Sequence, residues 1–331
     1  MNAVALERQS HAALAPKNPS YMYSAREKLQ LCFPCARQRL HPRRHLFAGP
    51  FAGEFGYELM QWQGFVRARR SHYEQVHVLT YPQRDYLYED CRVHYHDIEL
   101  RKAGFRYGLL SPAETRRIAE AKAAEIGLRD FDVFEPSLLC TRYHKIIFWR
   151  QDFRLFEEPP LVDKPIDVLF HFRAVQKEGP DQDNKNYPPA LADELARRCL
   201  DRGISVGCIG HPDYAYCSPG CPDYRGLDLR RTVAAISSAH LVAGENSGPM
   251  HLANLCGKPT VVWAQDQWRI DYSLRWNPFR VPIYTAANNT RQPKPEIVCE
   301  AITNALQDLR LRTRQFTFPA YTLPAQPISP I

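Results

Sequence analysis

The stretch from His240 to Trp263, His-Leu-Val-Ala-Gly-Glu-Asn-Ser-Gly-Pro-Met-His-Leu-Ala-Asn-Leu-Cys-Gly-Lys-Pro-Thr-Val-Val-Trp, admits few local structures. Leu241 to Ala243 is a short apolar run and Gly244 to Ser247 carries turn chemistry. Pro249 suits the first turn of a helix, where its missing N–H costs nothing. Met250 to Cys256 then reads as helix, Gly257 as its C-cap, and Thr260 to Trp263 as a buried strand. The product is a helix N-terminus at the carboxyl end of a strand, with Ser247, Gly248 and His251 beside main-chain N–H groups. Such a place attracts anions, phosphates above all.

The same alternation runs through the rest of the chain. His45 to Phe51 reads as a strand, a helix is expected from about Tyr57 to Arg69, Gln75 to Thr80 is a second strand, and Pro112 to Ile126 and Phe131 to Phe134 add a helix and a strand. Glu157 to Pro165 is polar and holds three prolines, which marks a boundary. The pattern restarts with strand 166–172, helix 189–202, strand 204–209 and helix 227–239. After the opening stretch come a strand near 281–285 and a helix at 295–310. Two runs of alternating strand and helix imply two doubly wound α/β domains of Rossmann type facing across a cleft, with ligands at the carboxyl ends of the strands. The expected division is a basic arm over 1–44, a first α/β domain over 45–160, a second over 161–312 and an extended Pro-rich tail over 313–331.

A chain of 331 residues with a net charge of +7 has its excess unevenly placed. Arg37, Arg39, Arg43, Arg44, Arg67, Arg69 and Arg70 suit an anionic partner or a solvated face. No apolar run is long enough to span a membrane and no secretory h-region opens the sequence, so a cytoplasmic protein is expected. Ten cysteines in a chain of this length are read as mostly reduced. Cys32-x2-Cys35-x5-His41-x3-His45 has zinc-ligand residue types, but not the long central spacing of a zinc finger, and Arg43 and Arg44 oppose a cation. Cys32 and Cys35 are therefore the candidate ligands of a structural zinc that the fold does not require. Cys208, His211, Cys217 and Cys221 form a second, looser group.

Three places in the second half converge if its strands are parallel. Arg173 ends a strand, Lys185 precedes a helix, and Ser247, Gly248 and His251 open another. Together they would make a diphosphate pocket with charge-assisted bonds to both phosphates. In the first half Glu54 and Glu58 lie at or near the carboxyl edge of the sheet. They suit either a general base or helix N-terminal charges. Asp130-Phe131-Asp132 and Asp181-Gln182-Asp183 match a metal-binding triplet, without distinctive context.

The segments Lys185-Asn186-Tyr187-Pro188, Cys208-Ile209-Gly210, Gly226-Leu227-Asp228-Leu229, Asn246-Ser247-Gly248-Pro249-Met250-His251-Leu252-Ala253 and Gly257-Lys258-Pro259 resemble the donor half of glycosyltransferase family 9, the heptosyltransferase family. The resemblance covers roughly residues 165 to 265. Asn246 stands where that family has Asp, and Tyr187 where it has Trp. The resemblance implies a GT-B fold and an inverting, metal-independent transfer of sugar from a nucleotide-diphosphate sugar to a hydroxyl of a saccharide or lipid-linked glycan. It implies no required cofactor, with Gly53-Glu54 as counterpart of the family's Gly-Asp turn. Glu54, or Glu58 as second choice, then takes the acceptor's proton. Arg173, Lys185, Asn246, Ser247, Gly248 and His251 hold the donor diphosphate. Two alternatives stay open. The basic arm, with Tyr81, Tyr86, Tyr88 and Arg84, would suit nucleic acid and glycosylation of a modified DNA base. Asn246 would suit a non-catalytic module that binds a nucleotide or sugar.

Overall fold

The computed structural model describes residues 44–98, 110, 112–136, 152–175, 186–264, 274, 276–287 and 290–316. Residues 1–43 with Cys32 and Cys35, the Asp181/Asp183 triplet, Lys185 and residues 317–331 lie outside the described residues, while 313–316, expected as the start of an extended tail, continue the last helix.

Strand β1 (His45–Ala48) is followed by a continuous helical stretch, α1, made of Phe55–Tyr57, a π-helical turn Glu58–Trp62, and Gln63–Arg69. Then come β2 (Gln75–Thr80), a 3-10 turn at Asp85–Tyr88, β3 (Arg92–Tyr95), α2 (Pro112–Glu125) and β4 (Phe131–Phe134). The strands form one parallel sheet in the order β3-β2-β1-β4. Leu46, Phe47 and Ala48 are all buried, as expected of a central strand with structure on both faces. Phe47 and Leu79 pack under Ala119 and Ala123 of α2, whose small side chains let the helix sit close to the sheet.

The second half contributes β5 (Ile166–Arg173), α3 (Pro189–Asp201), β6 (Val206–Gly210), β7 (Ala215–Tyr216), β8 (Asp223–Arg225), α4 (Leu229–Ser237) and β9 (Ala239–Glu245). It closes with α5 (Gly248–Leu255), β10 (Thr260–Trp263), β11 (Ile283–Ala287) and α6 (Pro295–Phe316). The sheet order is β11-β10-β9-β5-β6-β8, parallel throughout, with β7 antiparallel to the end of β5. Its core is aromatic: Phe170 stacks on Phe172 at 4.7 Å, Phe172 on Tyr187 at 5.7 Å, and Tyr187 tilts against Trp263 at 5.2 Å. All four are buried, at roughly 1.5–3 kcal/mol of transfer free energy each. Tyr187 thus serves the core, and its hydroxyl donates to the Pro293 carbonyl at 2.8 Å.

Both sheets reverse direction in ways that fix where a ligand can sit. In the second sheet the chain leaves β5 toward β6 and β8, then returns to its other side at β9, so the crevice opens between the carboxyl ends of β5 and β9. In the first it opens between β1 and β4 by the same logic.

Candidate active site

Glu54 follows the carboxyl end of β1 as the N-cap of α1, with extended backbone angles of −65° and 143° and no side-chain capping bond. Its carbonyl accepts from the N–H groups of Tyr57 and Glu58, at 3.1 and 3.2 Å, which starts the helix while leaving the side chain exposed. Glu58, one turn on, has the opposite environment. Its carboxylate is completely buried, accepts from Thr80 Oγ1 at 2.8 Å and Tyr88 OH at 2.9 Å, and forms an ion pair with Arg84. Burial, then the Glu58 charge, push the Tyr88 hydroxyl well above its ordinary value, so it stays a donor. The Arg84 guanidinium lies over the Tyr81 ring at 4.5 Å, and its Nη1 is 3.5 Å from the Gly53 carbonyl beside Glu54.

On the facing lobe, Ser247 is the N-cap of α5, and the N–H groups of Met250 and His251 turn back to its carbonyl at 3.1 and 3.2 Å. Pro249 has no N–H, so the first-turn donor without an acceptor inside the helix is that of Gly248. The Ser247 hydroxyl makes no capping bond and instead lies 3.0 Å from Nδ1 of His171, on β5. Burial, then the Arg173 guanidinium, hold His171 down at about 4, so its imidazole is neutral at ordinary pH. Arg173 ends β5, half-buried, and its carbonyl accepts from Tyr187 N–H at 3.0 Å. The Asn186 side chain accepts from Val175 N–H at 3.0 Å and donates to Val175 O at 2.7 Å, a clamp beside both residues. Lys185, one residue before this clamp, lies outside the described residues.

His251 is buried, its ring edge-on to Trp276 at 4.9 Å, and Trp276 in turn meets Tyr57 of α1 at 5.5 Å. Asn246, half-buried, joins the buried Glu245 to Ser247. The two lobes touch where α1 and α5 begin. A Cβ on Gly56 would stand 3.7 Å from Gly248 Cα, and one on Gly248 would stand 3.1 Å from Phe55 and 3.5 Å from Gly56 N. The Gly56 distances are ordinary van der Waals contact and only the Gly248 position is tight, so the two helix N-termini meet most closely at Gly248, which brings the Glu54 turn opposite the Ser247 turn.

Sequence reasoning named the two turns but passed over His171 and Trp276. His171 sits in an apolar strand and bonds to a residue 76 positions away, a pairing that no local spacing signals. Trp276 stands alone in sequence, with Tyr57 and His251 reaching it from two different lobes.

Other candidates fall elsewhere. Asp130 and Asp132 lie at the amino end of β4, across the sheet from Glu54, where Asp132 accepts from Tyr73 OH at 3.1 Å. Arg67 and Arg70 both pair with Asp90, and Arg69 covers the Phe134 ring at 3.8 Å, so this cluster is engaged by its own lobe. Tyr86 and Tyr88 are buried in this conformation, which leaves only half-buried Tyr81 of the three tyrosines near the surface. Cys208 is in the core, while His211 is exposed with its ring on Tyr214 at 4.9 Å. Seven described cysteines are free thiols, and among the described residues no group of three or more His, Cys, Asp or Glu is arranged to hold a metal ion. No described helix is long and apolar enough to cross a membrane.

No family profile matches the sequence, and no curated protein sequence does. Solved structures do match. A glycosyl transferase family 9 protein from Veillonella parvula superposes with a TM-score of 0.50 at 13% identity, covering 80% of this chain and 98% of its own. The ADP-heptose LPS heptosyltransferase II of Escherichia coli superposes with a TM-score of 0.50 at 15% identity, covering 81% and 99%. At such identities the likeness is one of fold: this chain has the GT-B architecture, two Rossmann-like lobes with their sheets' carboxyl ends turned to a shared cleft.

Proposed function

We propose that the protein is an inverting glycosyltransferase that moves a sugar from a nucleotide-diphosphate sugar to an acceptor hydroxyl. The observation that carries this reading is the apposition at Gly56 and Gly248, which sets an exposed carboxylate on one wall and a helix N-terminus with a neighbouring arginine on the other. Such a pair of walls supplies what the reaction needs, a base for the acceptor and positive potential for a departing diphosphate.

In this reading Glu54 takes the acceptor's proton as its oxygen attacks the anomeric carbon. The bond from that carbon to the phosphate oxygen breaks, and the diphosphate leaves onto Gly248 N–H, Ser247, Arg173 and Lys185. His251, packed on Trp276 at the same helix start, and Asn246 complete the diphosphate side of the pocket. With these donors in place the diphosphate needs no divalent ion. Glu58 acts as an anchor, holding Arg84 and through it the Gly53 carbonyl. The acceptor fits the class of saccharides and lipid-linked glycans. The Escherichia coli neighbour is named for ADP-heptose, so ADP-sugars head the donors to try.

The test is turnover of ADP-, UDP-, GDP- and CDP-sugars by purified protein, with and without EDTA, and anomeric configuration read by NMR. Release of nucleoside diphosphate that survives EDTA is expected. Glu54→Gln should lower turnover by on the order of 100-fold or more while calorimetric donor binding persists. Unchanged turnover would remove Glu54 as the base.

A further inference from the structure

We infer that His171 is a positioning residue of the donor site: its Nδ1–H donates to Ser247 Oγ and so turns the Ser247 O–H toward the leaving diphosphate. The inference rests on the donor-site reading above and names a residue that reading does not contain.

Three observations carry it. First, serine at an N-cap ordinarily accepts from the N–H of the second or third helical residue. Here Pro249 has no N–H to give and the Met250 N–H goes to the Ser247 carbonyl. The hydroxyl is free of capping and is held by His171 at 3.0 Å instead. Second, the space for this ring is built. A Cβ on Gly210 would lie 2.9 Å from His171 Cδ2, and one on Gly244 would lie 2.9 Å from the His171 carbonyl and 3.3 Å from its Cβ. Glycines on the strands to either side, β6 and β9, make room for a histidine between them. Third, the chemistry of the pair selects one tautomer. A hydroxyl has one proton and two lone pairs. If it gives its proton to Nδ1, it shows only lone pairs to the cleft, which repel a phosphate oxygen. If it accepts from Nδ1–H, its own proton is left to bond the anion. Burial keeps the ring neutral, so it remains a single-proton device with Arg173 as the neighbouring cation.

A double-mutant cycle tests this, with nucleoside diphosphate binding measured calorimetrically for ADP, UDP, GDP and CDP. His171→Phe keeps a ring in the slot and removes the donor, and Ser247→Ala removes the relay. Each is expected to weaken binding about tenfold, as for one hydrogen bond to a charged group. The double variant should be no weaker than either single one, and His171→Asn, which retains an N–H near Nδ1, should stay within about threefold of wild type. A merely structural histidine would instead give losses that multiply to about 100-fold, and that result overturns the inference. Ser247 is at the edge of the cleft, so its alanine variant tests the inference even if His171→Phe does not fold: binding equal to wild type in Ser247→Ala also overturns it. If wild type binds none of the four diphosphates while folded, the donor-site reading itself fails, and this inference with it.

Discussion

Glu54 and Glu58 stand four residues apart in one helical stretch, and their surroundings divide the work between them. Glu54 is exposed at the cleft, whereas Glu58 is fully buried among Thr80, Tyr88 and Arg84. Thr80 and Tyr88 both donate to Oε1 of this carboxylate, whereas Arg84 pairs with Oε2. Glu58→Gln keeps an oxygen for the two hydroxyls but sets an amide NH2 against the guanidinium and leaves that cation without its counter-charge, which should destabilise the fold by about 3–5 kcal/mol in urea unfolding. Glu54→Gln should leave the same curve within about 0.5 kcal/mol of wild type. Equal midpoints for the two variants would show that this division is wrong. The pair was legible in sequence as two carboxylates near one sheet edge. Which one faces the cleft was not, because that depends on the π-helical turn Glu58–Trp62, which buries five consecutive residues and has no simple residue signature.

At the scale of elements, long apolar runs were readable and short polar strands were not. β2, β4 and β10 occupy the residues that the apolar pattern indicates. β3, β7 and β8 are not among the strands read from the sequence, because Arg-Val-His-Tyr, Ala-Tyr and Asp-Tyr-Arg owe their conformation to main-chain pairing with a neighbour already in place. β3 also completes a row of histidines. His77 and His94 meet at 3.0 Å on adjacent strands, His45 stands edge-on to His77 at 5.5 Å, and Phe47 stacks on both inner rings. Burial, then His94, His45 and Arg92, push His77 down to about 4, and burial with Arg173 does the same to His171. Both are neutral in the fold down to about pH 4, while in the unfolded chain they protonate below about pH 6.5. The unfolded state therefore binds more protons between those limits, and stability must fall as pH falls through that window. The loss is on the order of 3 kcal/mol for each histidine when the window is crossed completely. Urea midpoints from pH 7 to 4 should show it, and His77→Phe should flatten the slope, with His94 and His96, also pushed down by burial, keeping part of it. A midpoint indifferent to pH over that range would mean that neither ring is held neutral.

At the scale of the molecule, two kinds of contact join the lobes. Away from the candidate site, Arg230 of α4 pairs with Glu89 and Glu158 and covers the Tyr86 ring at 4.7 Å, while Arg154 holds Glu89 at 2.7 Å from within the first lobe. The Arg230 side chain is 56% exposed, so this clasp is worth at most about 1 kcal/mol per pair and is weakened by salt. The contact at the candidate site is steric, and it is the sharper lever. The Gly248 Cβ position is 3.1 Å from Phe55, a half-buried ring able to give by a few tenths of an ångström, so Gly248→Ala should be tolerated with the lobes nearly in place. Gly248→Val adds two methyl groups beyond that Cβ, and these meet Phe55 and the Gly56 main chain, which has no rotamer to change. Each lobe has its own buried cluster, around Phe172 in one and Phe47 in the other. Valine should therefore lower the melting temperature little, enlarge the radius of gyration in small-angle scattering, and cut turnover far more than it weakens diphosphate binding. If Glu54 is the base and the donor sits on the second lobe, as proposed, turnover depends on the distance from Glu54 to that lobe, whereas binding depends on that lobe alone. Equal losses of both would mean that the valine disturbs α5 itself, and an unchanged turnover would mean that the reacting groups do not span this contact.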